Sequence, residues 1–412
     1  MSDTTAVRIA KRSILGSTSI NLPSSKSESN RALIINSFAH GNLNNLSEAR
    51  DTRIMMRLLR SENKELNVLD AGTTMRFLVA YFALTNRNKI LTGTPRMCER
   101  PIGILVNALR DIGAEVRYLK NEGFPPVETI KFPGQRRAGI SIRGDVSSQY
   151  ISAIMMLAPT LPNGLVINLE VKVASKPYIL MTLKLMKQFG ANAEFTENNE
   201  IIIKSSSYGA SEFSVESDWS GASYWFGMVA LAEKAEITLT GLKPDSLQGD
   251  NRIMEIMRFL GVKSEFHRGG LVLSKIEAQT FFKYDFANCP DLAQTVAVVC
   301  AAKGIRADIT GLESLRIKET DRIFALQNEL ARFGASLEEI NGKLWKVHPA
   351  PGIRELNDIS IETYDDHRMA MAFAPIATRA DITILNPSVA DKSYPSFWKH
   401  MKKAGFELEF GK

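Results

Sequence analysis

A chain of 412 residues with 44% hydrophobic content is too long for one ordinary core and predicts two or three globular domains. Its 51 basic and 45 acidic residues leave a net charge of +6 with no single-sign run longer than pairs such as Arg136–Arg137. That suits small anionic ligands rather than a nucleic-acid face. Cys98, Cys289 and Cys300 are odd in number and lack metal-like spacing, which argues against a disulfide framework or zinc site and for a reducing compartment. The most apolar stretch, Leu292 to Ala302, falls short of the roughly 18 residues of a membrane span. Residues 1–22 lack a signal-peptide centre and the first chemical motif begins at Pro23, so a cytoplasmic protein without a transit peptide is expected.

In chain order, a buried helix beginning near Ser27 is followed by a weaker amphipathic helix, Ile54 to Ser61. A second buried helix begins at Gly72–Thr73 and is followed by the amphipathic stretch Leu105 to Gly113, then a short alternating strand. The same pair recurs from Ser147–Ser148 to Gly190, Asp218 to Gly261, Asp291 to Gly334 and Asp366 to Gly405. The last four closing glycines are 71 to 73 residues apart. Glycine after the last periodic residue suits a helix C-cap. The first helix of each pair is apolar almost all round and belongs inside a domain; the second has one apolar stripe, as at Leu326, Leu330 and Phe333. Six such units predict an α/β protein of two domains, three units each. A solenoid would show shorter, more uniform repeats without catalytic-looking residues gathered at one helix end.

That gathering is the main chemical signal. Free N–H groups and the positive dipole end of a helix favour anions, and all six buried helices open on polar groups, four with Lys or Arg beside them. Lys26, Ser27 and Arg31 place a hydroxyl and a guanidinium on one helical face. In Asp70–Ala71–Gly72–Thr73, Gly72 permits close backbone approach and Thr73 is the expected cap. Arg96, Glu99 and Arg100 lie in a proline-bounded loop. In Arg316 to Arg322, Thr320 is the expected cap, and Glu319 and Arg322 share a helical face. Asp365–Asp366–His367–Arg368 completes the set. Each segment alone reads as capping or surface ion pairing; together they point to a highly charged small substrate. No P-loop, GxGxxG or HExxH motif occurs.

Leu22–Pro23–Ser24–Ser25–Lys26–Ser27 through Leu33, Pro95 to Ile102 and Arg316 to Arg322 resemble the EPSP synthase family, and the resemblance runs from about Leu22 to Pro395. It implies a two-domain enolpyruvyltransferase-like fold, each domain of three βαβαββ units with buried parallel helices. The implied domains are 24–216, on the shikimate 3-phosphate side, and 1–23 with 217–412, on the phosphoenolpyruvate and acid/base side, their helix starts facing a shared cleft. The implied reaction moves the enolpyruvyl group of phosphoenolpyruvate to the 5-hydroxyl of shikimate 3-phosphate. By resemblance, Lys26, Gly72, Arg100, Gln149, Arg322, Arg368 and Lys392 hold phosphoenolpyruvate. Lys26, Ser27, Arg31, Ser147, Ser148, Gln149, Ser175, Tyr178, Asp291 and Lys318 hold shikimate 3-phosphate, and Lys26, Asp291 and Glu319 are catalytic. No metal or cofactor, no nucleic acid or membrane partner, and a monomer are expected. The chain departs from the family pattern at Ser24 (usually Gly), Asp70 (Asn), Phe77 (Pro), Cys98 (Lys) and Ser314 (Asn).

Two rivals remain. A sister enolpyruvyltransferase using UDP-N-acetylglucosamine shares the fold and a loop cysteine, but the SKSxSNRAL, SSQ and SKPY segments suit shikimate 3-phosphate. A nucleic-acid-binding module requires basic residues interleaved with exposed aromatics, whereas the aromatics here lie mostly in apolar helices.

Overall fold

The computed structural model describes residues 5–411 except 146, 172, 174 and 351–357. The chain divides into two compact units, Ser25–Val215 and the remainder on either side of it. Residues 1–4 and 351–357 of the expected second domain lie outside the described residues.

Five four-stranded sheets share one plan. In the clearest case Glu65–Asn67 and Lys89–Thr92 pair in parallel, which requires a long crossover. The buried helix Gly72–Leu84 supplies it. The outer helix Gly103–Ile112 follows, and the hairpin Glu115–Tyr118 with Val127–Lys131 returns antiparallel to complete the sheet. Within Ser25–Val215, Gly139–Arg143, Ser148–Leu157, Leu165–Glu170, Lys176–Gln188, Ala193–Phe195 and Glu200–Ile203 repeat this β-α-β-α-β-β order.

The first unit is abbreviated. Its outer helix Arg50–Leu59 ends only six residues before Glu65, a strand of the next sheet, so no hairpin fits between them. What remains is a two-stranded sheet, Asn42–Asn44 beside Glu212–Ser214. The first buried helix, Lys26–Ala39, also differs from its counterparts: Glu28, Ser29, Asn30 and Arg31 are all buried.

The other compact unit has three four-stranded sheets around the buried helices Trp219–Leu231, Ala293–Lys303 and His367–Phe373. The N-terminal segment completes two of them. Ile14–Asn21 pairs in parallel with Lys234–Thr240, and Ala6–Ile9 lies between Ile382–Leu385 and Leu408–Gly411. Twelve of the thirteen residues of Trp219–Leu231 are buried. Each large apolar side chain so enclosed contributes about 1.5–3 kcal/mol. Its tryptophans are also satisfied: Trp219 Nε1 donates to Glu216 Oε1 at 2.8 Å and Trp225 Nε1 to Tyr394 Oη at 3.1 Å.

The glycines expected to close the outer helices, Gly113, Gly190, Gly261, Gly334 and Gly405, all have positive φ. At Gly261 two constraints coincide, since φ is +95° and a Cβ would come within 2.4 Å of Lys303 Nζ. The three cysteines are free thiols. Among the described residues no helix is long and apolar enough to cross a membrane.

Candidate active site

Ten of the sixteen sequence-predicted site residues lie in Ser25–Val215, at or near the starts of its helices. Ser25 caps the helix Lys26–Ala39 by accepting from Glu28 N. That leaves Lys26 in the first turn, where Nζ lies 3.2 Å from Asp51 Oδ2. Arg31, one turn on, is buried; it donates to Ser27 O (2.9 Å), Thr182 Oγ1 (2.7 Å) and Ser152 Oγ (3.3 Å). Its guanidinium lies 5.4 Å from the Phe77 ring centre and 5.8 Å from that of Tyr178. Burial pushes its pKa down to about 10, with Tyr178 and Glu28 opposing. A guanidinium has five N–H donors, so those three bonds fix its plane and leave two.

Gly72 has a steric reason to be glycine: a Cβ there would meet Arg100 Nη1 at 2.8 Å. Arg100 is 8% exposed, and its Nε finds no hydrogen-bond partner among the described residues. Ser147 caps Ser148–Leu157 by accepting from Gln149 N, and Gln149 Nε2 donates to Thr73 Oγ1 at 3.2 Å. Thus Lys26–Asp51 and Gln149–Thr73 tie the starts of buried helices to their neighbours, and Arg100 packs closely over the start at Gly72. Ser175 precedes the helix Lys176–Gln188 in a left-handed conformation, φ +54°, and gives it no side-chain cap.

The remaining six residues lie in the other unit, and five form one connected cluster. Arg322 is its hub. Nε donates to Asp366 Oδ2 (2.7 Å), Nη1 to Asp291 Oδ1 (3.2 Å) and Nη2 to Glu319 Oε2 (2.9 Å). Burial works against the charge of Arg322, but Asp366, Glu319 and Asp291 outweigh it and hold its pKa above the ordinary value. Asp291 Oδ2 is 2.8 Å from Arg368 Nη2, and Glu319 Oε1 is 3.5 Å from Lys392 Nζ. Burial pushes the Asp291 carboxyl up, yet Arg368, Lys318 and Arg322 together bring it below the usual carboxylate range. Lys318 acts on Asp291 through its charge.

Two expected caps are corrected. Thr320 does not cap the helix Arg322–Ala331; Asp321 does, accepting from Ile323 N and Phe324 N. Asp ranks above Thr as an N-cap acceptor, and here Oδ1 takes both N–H bonds while Oδ2 pairs with Arg316. Glu319 therefore precedes the helix, and meets Arg322 from the loop rather than along a helical face. Thr73 is not a cap either: Gly72–Leu84 starts at Gly72, with Ala71 in the cap position and no side-chain cap.

Sequence reasoning missed the partners. Asp51, Ser152, Thr182 and Ser220 contact predicted residues from distant parts of the chain, and Asp250 in turn accepts from Ser220. No local motif marks them, because a cap or helix-face pattern reports neighbours within about four residues.

The fold is that of an EPSP synthase: one from Acinetobacter baumannii superposes with a TM-score of 0.78, covering 99% of this chain and 100% of that one at 20% identity. Residues 58–401 match the family model of EPSP synthase (3-phosphoshikimate 1-carboxyvinyltransferase). The chain is 46% identical over 401 residues to a 3-phosphoshikimate 1-carboxyvinyltransferase of Bacteroides fragilis, covering 95% of this chain and 96% of that protein. To the protein of that name from Photobacterium profundum it is 36% identical, with 92% and 94% covered. The chain belongs to the EPSP synthase family.

Proposed function

We propose that the protein transfers the enolpyruvyl group of phosphoenolpyruvate to the 5-hydroxyl of shikimate 3-phosphate, releasing phosphate, in the shikimate pathway. It acts as a cytoplasmic monomer on two free small-molecule anions. The observation that carries the mechanism is the pair of carboxylates, Asp291 and Glu319, on one fully buried guanidinium, with a different second cation on each. Shared anchoring on Arg322 fixes both acid/base groups, and the second cation of each, Arg368 for Asp291 and Lys392 for Glu319, orients its other oxygen.

In the addition step Asp291, held ionised by its cations, orients the 5-hydroxyl and takes its proton as the oxygen attacks C2 of phosphoenolpyruvate. Glu319 gives a proton to the methylene carbon, so the double bond becomes a methyl group and a tetrahedral adduct forms. In the elimination step Glu319 removes a proton from that methyl group, the double bond re-forms, the C–O bond to phosphate breaks, and the proton held by Asp291 passes to the departing phosphate. Lys26, Arg100, Arg368 and Lys392 neutralise the charges of phosphoenolpyruvate, with Gly72 and Gln149 lining its place and Arg322 holding the two carboxylates. Arg is suited to this because its planar fork can grip a carboxylate or phosphate with two bonds. Ser27, Arg31, Ser147, Ser148, Gln149, Ser175, Tyr178 and Lys318 hold shikimate 3-phosphate.

Phosphorus NMR tests the reaction. Mixing the protein with both substrates should convert the phosphoenolpyruvate resonance to inorganic phosphate only when shikimate 3-phosphate is present. Persistence of the phosphoenolpyruvate resonance would overturn the assignment.

A further inference from the structure

A buried chain of polar contacts leads from the acid/base cluster to a carboxylate that the proposed chemistry does not use. Asp250, on the turn Gly249–Arg252, is 4% exposed. Its Oδ2 accepts the hydroxyl proton of Ser220, the second residue of Trp219–Leu231. Ser220 Oγ in turn accepts from Arg368 Nη2 at 3.4 Å, the nitrogen that lies 2.8 Å from Asp291 Oδ2. Asp250 Oδ1 is buried with no hydrogen-bond partner among the described residues.

The groups that bear on Asp250 come from several elements. Asp218 and Ser220 come from the start of Trp219–Leu231, Cys289 and Asp291 from the segment before Ala293, and Arg368 from His367–Phe373. Arg252, on its own turn, is hydrogen-bonded to Tyr284. Burial first, then Asp291, push the Asp250 carboxyl up to about 7, against Arg368 and the Ser220 bond. Asp250 and Asp291 are thus separated in proton affinity although they share one neighbourhood.

A hydroxyl has one proton to place. With Asp250 ionised, the Ser220 proton is directed to it and the oxygen lone pairs face Arg368. With Asp250 protonated, the carboxylic acid can donate to Ser220, and one negative charge is gone from beside Arg368. An anion arriving at Arg368 opposes the Asp250 charge and raises its affinity for a proton. By linkage, the proton raises affinity for the anion equally.

We propose that Asp250, acting through the Ser220 hydroxyl, is a positioning residue for Arg368 that couples anion binding at that guanidinium to uptake of one proton from water. The inference rests on the reading that Arg368 grips phosphoenolpyruvate.

The test is the KM for phosphoenolpyruvate from pH 6 to 8.5 at saturating shikimate 3-phosphate, in wild type, Asp250→Asn and Ser220→Ala. The ratio of wild-type to Asp250→Asn KM cancels the titration of the ligand itself. It should be near one at pH 6 and climb to ~3–10-fold at pH 8.5, where only the wild type carries the charge; one pKa unit of coupling is tenfold. The kcat ratio should move less. Ser220→Ala removes a bond that favours the ionised carboxylate, so its KM rise should be displaced to higher pH. If Asp250→Asn does not fold, that displacement alone decides. A flat KM ratio, or a Ser220→Ala profile superimposable on wild type, would overturn the inference in an active enzyme. A wild type that turns over no phosphoenolpyruvate instead marks failure of the functional reading.

Discussion

Arg322 Nε lies 2.7 Å from Asp366 Oδ2, with the two side chains only 2% and 0% exposed. Asp366 also caps His367–Phe373, accepting from Arg368 N at 2.8 Å. Asp366→Ala removes both contacts and leaves a buried guanidinium short of a counter-charge. Breaking a buried pair from one side costs about 3–5 kcal/mol. The variant should unfold at clearly lower urea than wild type; an unchanged midpoint would show that Arg322 is held by Asp291 and Glu319 alone.

Asp291→Asn and Glu319→Gln keep shape and remove the proposed proton transfer. Both should lower kcat by ~10²–10⁴-fold, with smaller changes in substrate affinity. If only the Michaelis constants rise, the two residues bind substrate without moving protons.

Lys26→Met should nearly abolish turnover while the protein stays folded. The side chain is 15% exposed at a helix start, so the methionine needs no new cavity. Asp51, however, is 3% exposed and loses its 3.2 Å partner. A loss of about 1–3 kcal/mol in stability should therefore accompany the loss of activity. Circular dichroism with steady-state rates separates the two effects, and near-wild-type turnover in a folded variant is the contrary result.

Gly72→Ala puts a methyl group 2.8 Å from Arg100 Nη1, closer than the two atoms can approach without a shift. The guanidinium end of a side chain can shift, so the fold should survive while the proposed grip on phosphoenolpyruvate weakens. Losing about 1.4 kcal/mol of that interaction raises KM ~10-fold. Michaelis constants for each substrate provide the check. An equal rise for shikimate 3-phosphate would show that Arg100 is not specific to phosphoenolpyruvate.

What the sequence made legible was local. Ser147, Asp218 and Asp366 cap helices at the expected starts, Ser25 rather than Ser27 caps the first, and the closing glycines have positive φ, because capping and left-handed turns are decided by one or two residues. Thr320 and Thr73 misled because a carboxylate or a bare helix start competes for the same position, and pattern alone does not rank them. The abbreviated first unit was not expected, although the stretch Ile54 to Ser61 is the one outer helix without a closing glycine. Asp250 was illegible: nothing in Gln248–Gly249–Asp250 indicates that its carboxylate is buried against Ser220, thirty residues earlier in the chain.

The most direct measurement of the central claim is the rate of phosphate release from phosphoenolpyruvate with two acceptors compared side by side. With shikimate 3-phosphate the protein should turn over continuously and without added metal, and kcat/KM for UDP-N-acetylglucosamine should be at background. Turnover with UDP-N-acetylglucosamine, or none with shikimate 3-phosphate, would contradict the account.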